Sequence, residues 1–162
     1  APAGLAPALS EARRWGPRVI VERAVQAREV ELSLLGTAHP HIAPAGEVVP
    51  DTRFYDFDTK YVSTEAELVV PAKLPARTVE EVGEIATRAW ELIGCTGMLR
   101  ADFFVERTSG EVLLNEVNTI PGFTEISMYP RCWRSAGLTM AKLVDRLVRL
   151  ALAVNRSRPS RA

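Results

Sequence analysis

Two strand-forming runs, residues 98–106 and 111–118, are parted only by a short turn, Thr108-Ser109-Gly110. That pairing constrains the fold more than any other feature of the chain. Gly110 supplies the positive φ that closes a three-residue hairpin loop. Such a loop sets Arg107 opposite Glu111. Carried back along the strands, the same register sets Asp102 opposite Glu116 and Arg100 opposite Asn118. Residues two apart on a strand share a face, so Arg100, Asp102, Glu116 and Asn118 are expected to project together from one side of the sheet.

Two carboxylates directly opposite each other repel. Asp102 and Glu116 therefore call for a compensating cation. No His or Cys stands beside them to favour zinc, and carboxylate and amide oxygens suit a hard divalent ion. Magnesium fits best, held by one or two carboxylates with phosphate oxygens completing its shell. An arginine beside such a site would stabilise a transferring phosphoryl group or an oxyanion. The same four residues, read alone, also fit an ordinary solvated sheet face. A slip of one residue would send the two carboxylates to opposite faces.

The remainder of the chain reads as α+β. Residues 5–14 carry Leu5, Leu9 and Ala12 at helical spacing, stopped by Trp15-Gly16-Pro17. Val19-Ile20-Val21-Glu22 and residues 30–34 read as strands, the second alternating apolar and polar residues. Residues 36–51 are mostly loop, with a short strand at 46–49. Residues 54–75, aromatic, charged and broken by Pro71 and Pro75, read as a long ordered loop of the kind that often carries function. Thr78 and Glu81 form a capping box. Val82, Ile85, Ala86, Ala89, Leu92 and Ile93 follow at helical spacing up to Gly94, a stop signal. After the hairpin, residues 138–154 form an amphipathic helix with Leu143, Leu147 and Leu150 on its apolar side. The expected order is strand, strand, loop, helix, strand, strand, helix: a largely antiparallel sheet backed by helices.

Lysine plus arginine and aspartate plus glutamate number 20 each among 162 residues. That balance gives no pull toward nucleic acid or an anionic membrane, and no apolar run reaches the length of a membrane span. Cys95 and Cys132 sit in no CxxC pair and read as two reduced thiols of a cytosolic protein. His39 and His41 have no third ligand nearby and read as surface loop residues.

The run Arg100-Ala101-Asp102-Phe103-Phe104, then LNEVNTIPGFT (114–124) and SMYP (127–130), closely resembles the D-alanine–D-alanine ligase family of the ATP-grasp superfamily. So do FYDFDTKY (54–61) and VERAVQARE (21–29). The resemblance covers nearly the whole chain, apart from the first few residues and the basic tail. It implies the C-terminal catalytic domain of an ATP-grasp ligase over residues 27–154. Residues 1–26 would be the last strip of the central domain, and 155–162 a polar tail.

The resemblance also implies roles. Asp102, Glu116 and Asn118 match the family's magnesium ligands, with Glu116 bridging two ions and Mn2+ as an alternative metal. Arg100 matches the arginine that stabilises the acyl-phosphate and tetrahedral states. Gly122 matches the backbone N–H donor to the same oxyanion. Ser127, with Met128, matches the residues that hold the carboxylate of the second D-alanine; the plainer reading of Ser127 is a cap on the following helix. Lys60 and Tyr61 match a mobile loop over the reacting groups, Lys60 on phosphate and Tyr61 orienting substrates. Glu22 and Val25 match the adenine-reading hinge, Glu29 the ribose ligand, and Phe54 a wall of the nucleotide pocket. Glu22 also fits a solvent-facing strand residue and Tyr61 a half-buried aromatic.

The implied reaction is ATP-dependent joining of two D-alanines through an acyl phosphate, feeding peptidoglycan synthesis in a bacterial cytoplasm. Tyr61 within FYDFDTKY looks like the dipeptide-forming type rather than the D-lactate type. The family's N-terminal substrate domain, central-domain lysines and phosphate loop have no counterpart here. The chain is thus expected to be a fragment, inactive or nearly so alone, of a ligase that the family often builds as a homodimer. Two alternatives stay open: another ATP-grasp carboxylate–amine or D-alanyl-D-lactate ligase, and a non-catalytic nucleotide-binding remnant.

Overall fold

The computed structural model describes residues 4–50 and 67–156. Helix α1 (Leu5–Arg13) is followed by strands β1 (Ala27–Gly36), β2 (His41–Ile42), β3 (Gly46–Val49) and β4 (Glu67–Val69). Helix α2 (Ala76–Leu92), strands β5 (Gly97–Glu106) and β6 (Val112–Asn118), and helices α3 (Met128–Ser135) and α4 (Met140–Arg156) complete the chain. The strands form one sheet in the order β4-β3-β1-β5-β6, with β2 beside β1, and each pairing is antiparallel. The α+β expectation holds.

Strand alternation splits this sheet into two faces. Val30, Leu32 and Leu34 of β1 and Leu99, Ala101, Phe103 and Val105 of β5 point to one face. There α2 covers them with Val82, Ala86 and Trp90. Buried Trp90 donates its indole N–H to Thr37 O at 2.7 Å, so its one polar atom is satisfied. On the other face Leu35 packs with Ala43, Met128, Tyr129, Cys132, Trp133 and Leu143, contributed largely by α3 and α4. These helices cover only the end of that face near Leu35 and Met98. Beyond it, the same face carries Glu29, Glu31, Arg100, Asp102 and Phe104. The polar half of one sheet face is what remains for a site.

Several sequence expectations need correction. Val19-Ile20-Val21-Glu22 forms no strand. It has no strand beside it among the described residues, and Ile20 and Val21 are 82% and 66% exposed. Alternation cannot satisfy backbone groups without a neighbour. Helix α2 begins two residues before Thr78, after Pro75 in the N-cap position, and no side chain caps it. Thr78 is instead turned inward, one step of four before Val82, Ala86 and Trp90 on the buried stripe. Leu92 and Ile93 are exposed at the helix end. Gly94 does end the helix at φ 61°: its N–H donates to Glu91 O and that of Cys95 to Trp90 O, the Schellman pattern.

Helix α3 has no place in the expected order of elements, although a helix after Ser127 is allowed for, and it carries Pro130 inside it. Pro130 is the third residue of α3, where no intrahelical acceptor waits for an N–H. The strand at Gly46–Val49 and the final amphipathic helix are as expected, and Leu143 is fully buried. Among the described residues no helix is long and apolar enough to cross a membrane.

Candidate functional site

The hairpin turn is one residue longer than its glycine suggests. Glu106, not Arg107, faces Glu111, with Glu106 N–H donating to Glu111 O at 2.9 Å and Gly110 N–H to Glu106 O at 3.0 Å. From there Val105 pairs with Val112, Phe104 with Leu113 and Phe103 with Leu114. The register then shifts, and Asp102 pairs with Glu116 and Arg100 with Asn118. Asn115 is the extra residue of this β-bulge. The expected square of Arg100, Asp102, Glu116 and Asn118 therefore exists, reached through a longer turn and a compensating bulge. A signal was available. Val112 lies on the core face while Glu116 and Asn118, of the same parity, lie on the other. A regular strand cannot satisfy both.

Within the square, Arg100 grips Asp102 bidentately. Its Nε and Nη2 each donate to a carboxylate oxygen at 2.7 Å, the planar fork geometry that makes such pairs strong. This bond, ahead of the opposing cost of burial, holds the guanidinium above its already high ordinary pKa. Asn118 Nδ2 donates to Asp102 at 3.1 Å and to Glu116 at 3.0 Å, tying the two facing acids together.

Strand β1 adds two acids that the hairpin alone does not reveal. Glu31 pairs with Asp102 and Glu29 with Phe104, so both point to the site face. Glu29 was singled out from the sequence; Glu31 was missed. Its signal was its place in the alternation Glu29-Val30-Glu31-Leu32. Burial pushes the Glu31 carboxyl up to about 7; Arg100 opposes that rise, while Asp102, Glu29 and Glu116 add to it. Glu29, Glu31, Asp102, Phe104, Asn115 and Glu116 line a cleft of about 220 Å³.

The donor set can be judged by its chemistry. Among the described residues no three His, Cys, Asp or Glu side chains converge as a ready-made metal cage. Two carboxylates and one amide, with an open cleft beside them, fit instead an ion that takes most of its shell from phosphates and water, as magnesium does.

The loop after β6 brings Gly122 to Ser127. A Cβ on Gly122 would meet Ser127 Oγ at 3.1 Å. Ser127 sits at the N-cap of α3 but makes no side-chain cap. Its Oγ accepts the Thr124 N–H at 3.0 Å and meets Thr124 Oγ1 at 2.8 Å. Met128 is buried and its thioether lies against Gly46, so only its backbone could face a ligand. Exposed Glu22 and half-buried Val25 precede β1, and Val25 lines a separate cleft with Arg23, Gln26 and Glu106. Phe54, Lys60 and Tyr61 lie outside the described residues.

Residues 2–149 match the family described as "D-ala D-ala ligase C-terminus". The D-alanine–D-alanine ligase of Chlorobium phaeobacteroides is 48% identical over 145 residues, which is 90% of this chain and 40% of that protein. The solved D-alanine–D-alanine ligase of Coxiella burnetii superposes with a TM-score of 0.80 at 34% identity, over 93% of this chain and 39% of that one. The VanG D-Ala:D-Ser ligase of Enterococcus faecalis gives 0.80 at 32%, over 93% and 43%. The chain spans about two fifths of the length of the curated relatives it matches.

Proposed function

The chain belongs to the D-alanine–D-alanine ligase C-terminal family, and from that premise we propose that it supplies the metal- and phosphate-handling half of an ATP-dependent ligase. The intact enzyme joins two D-alanines. The observation that carries this reading is the constellation of Arg100, Asp102, Glu116 and Asn118 on one sheet face.

Residues 27–154 are the catalytic domain in this reading, and 1–26 the edge of a nucleotide-binding neighbour. ATP phosphorylates the carboxylate of the first D-alanine, and the amine of the second displaces phosphate from that acyl phosphate. Asp102, Glu116 and Asn118 would hold magnesium, which when bound supplies positive charge against phosphate oxygens. Arg100 places a planar, permanently charged fork beside the same oxygens. The Gly122 N–H meets the developing oxyanion, with bare Cα geometry that lets Ser127 close in behind it. Ser127 holds the carboxylate of the second amino acid. Lys60 and Tyr61 close over the site and exclude water, which an acyl phosphate requires. Glu22, Val25, Glu29 and Phe54 hold the nucleotide. The product feeds peptidoglycan precursors in the bacterial cytoplasm.

The test is phosphate release by the intact protein with ATP, magnesium and D-alanine, with the product identified. D-Alanyl-D-alanine supports the proposal. Turnover only with D-lactate or D-serine as second substrate moves the acceptor assignment. Nucleotide binding without turnover makes the protein a non-catalytic remnant.

A further inference from the structure

Arg100 stands between two carboxylates on neighbouring strands. Its Nε lies 2.7 Å from Asp102 Oδ1 and 2.9 Å from Glu31 Oε2. The Nε carries one hydrogen, and that hydrogen is directed at Asp102. Glu31 Oε2 is buried and without a hydrogen-bond partner among the described residues. A carboxylate oxygen so placed is costly unless some state of the site uses it.

Asp102 is meanwhile engaged at three of its roughly four acceptor sites. Both oxygens accept from Arg100, and Oδ2 accepts from Asn118 as well. A divalent cation drawn to Oδ1 competes with the guanidinium for that oxygen, and its like charge weakens the Nε–H bond there. That N–H already lies within hydrogen-bonding distance of Glu31. We propose that Glu31 is the positioning residue for Arg100, the second acceptor that keeps the guanidinium in the site when Asp102 turns to a divalent cation. Arg100 then changes partner by a small reorientation and stays aimed at the phosphate. This rests on the reading that Asp102 helps hold magnesium. In this role Glu31 acts through Arg100.

The experiment follows the Arg100 Nε–H by nitrogen-15 NMR in the intact protein while magnesium is added, with calorimetry recording the binding. In the wild type this N–H is protected from exchange with water before and after magnesium. In Glu31→Met, which keeps the length of the side chain but has no acceptor oxygen, it is protected before magnesium, by Asp102, and loses protection afterwards. The kcat for D-alanine-dependent phosphate release falls roughly tenfold or more, as for loss of a hydrogen bond to a charged group, with little change in KM for ATP. Glu31→Asp keeps the charge but withdraws the carboxylate by one methylene, and it behaves like Glu31→Met. If Glu31→Asp behaves like wild type, only the charge matters and the positioning role is wrong. The role is also wrong if magnesium binds and neither variant alters Arg100 protection. If the wild type binds no magnesium, the metal reading fails first and takes this inference with it.

Discussion

Asp102 of β5 stands opposite Glu116 of β6, whereas its neighbour Phe103 stands opposite Leu114. The residue left between them, Asn115, turns Glu116 onto the face of Asp102. Without that extra residue the turn's register would set Glu116 against Ala101, which is wholly buried beneath α2. A charge there would be costly. The bulge is thus where the hairpin changes from building a core to building a site.

The other end of β1 is locked by Arg28. It donates to both oxygens of Glu47 at 2.7 and 2.6 Å and to Lys73 O at 2.9 Å, joining β1, β3 and the approach to α2. Arg28→Ala should lower unfolding stability by about 1.5–3 kcal/mol. The hydrogen bond from Arg28 holds the Glu47 carboxyl below its ordinary 4.5. A depressed carboxylate stabilises above the unfolded pKa, and that contribution is lost as pH falls through the folded one. Urea midpoints of the wild type should therefore drop as pH falls below about 4.5, and Arg28→Ala should lose that part of the slope.

Gly46 is held to hydrogen by Met128. A Cβ on Gly46 would overlap Met128 Sδ, and Met128 is 3% exposed. Gly46→Ala should cost about 1–3 kcal/mol by overpacking, read by thermal or urea unfolding. It should also disturb the first turn of α3, beside Ser127.

Ser127→Ala leaves the Thr124 N–H without its acceptor and removes the hydroxyl beside Gly122. Steady-state kinetics of the intact protein should show KM rising for the second amino acid, with KM for ATP nearly unchanged. Equal rises in both would place Ser127 in the general fold of the loop.

The residues of the square were legible because strand alternation is a strict period of two and the hairpin ends are close in sequence. Two errors in opposite directions, a turn one residue too short and an unseen bulge, cancelled at Asp102. What stayed hidden depended on distant partners. Trp90 is a core residue and Leu92 is not because α2 meets the sheet along the stripe of Thr78, Val82 and Ala86, which periodicity alone places only to within a residue or two. Helix α3 is only eight residues long with Pro130 in its first turn, so it offers little helical period to read. Glu31 joined the site only through pairing with β5, seventy residues further along the chain.

Asp102, Glu116 and Asn118 are proposed to hold the metal that meets the nucleotide's phosphates. The most direct test is calorimetric titration of the intact protein with magnesium and a non-hydrolysable ATP analogue, beside Glu116→Gln. Magnesium-dependent nucleotide binding is expected in the wild type and is lost in a folded Glu116→Gln variant. Undiminished magnesium-dependent binding in that variant would contradict this ligand set.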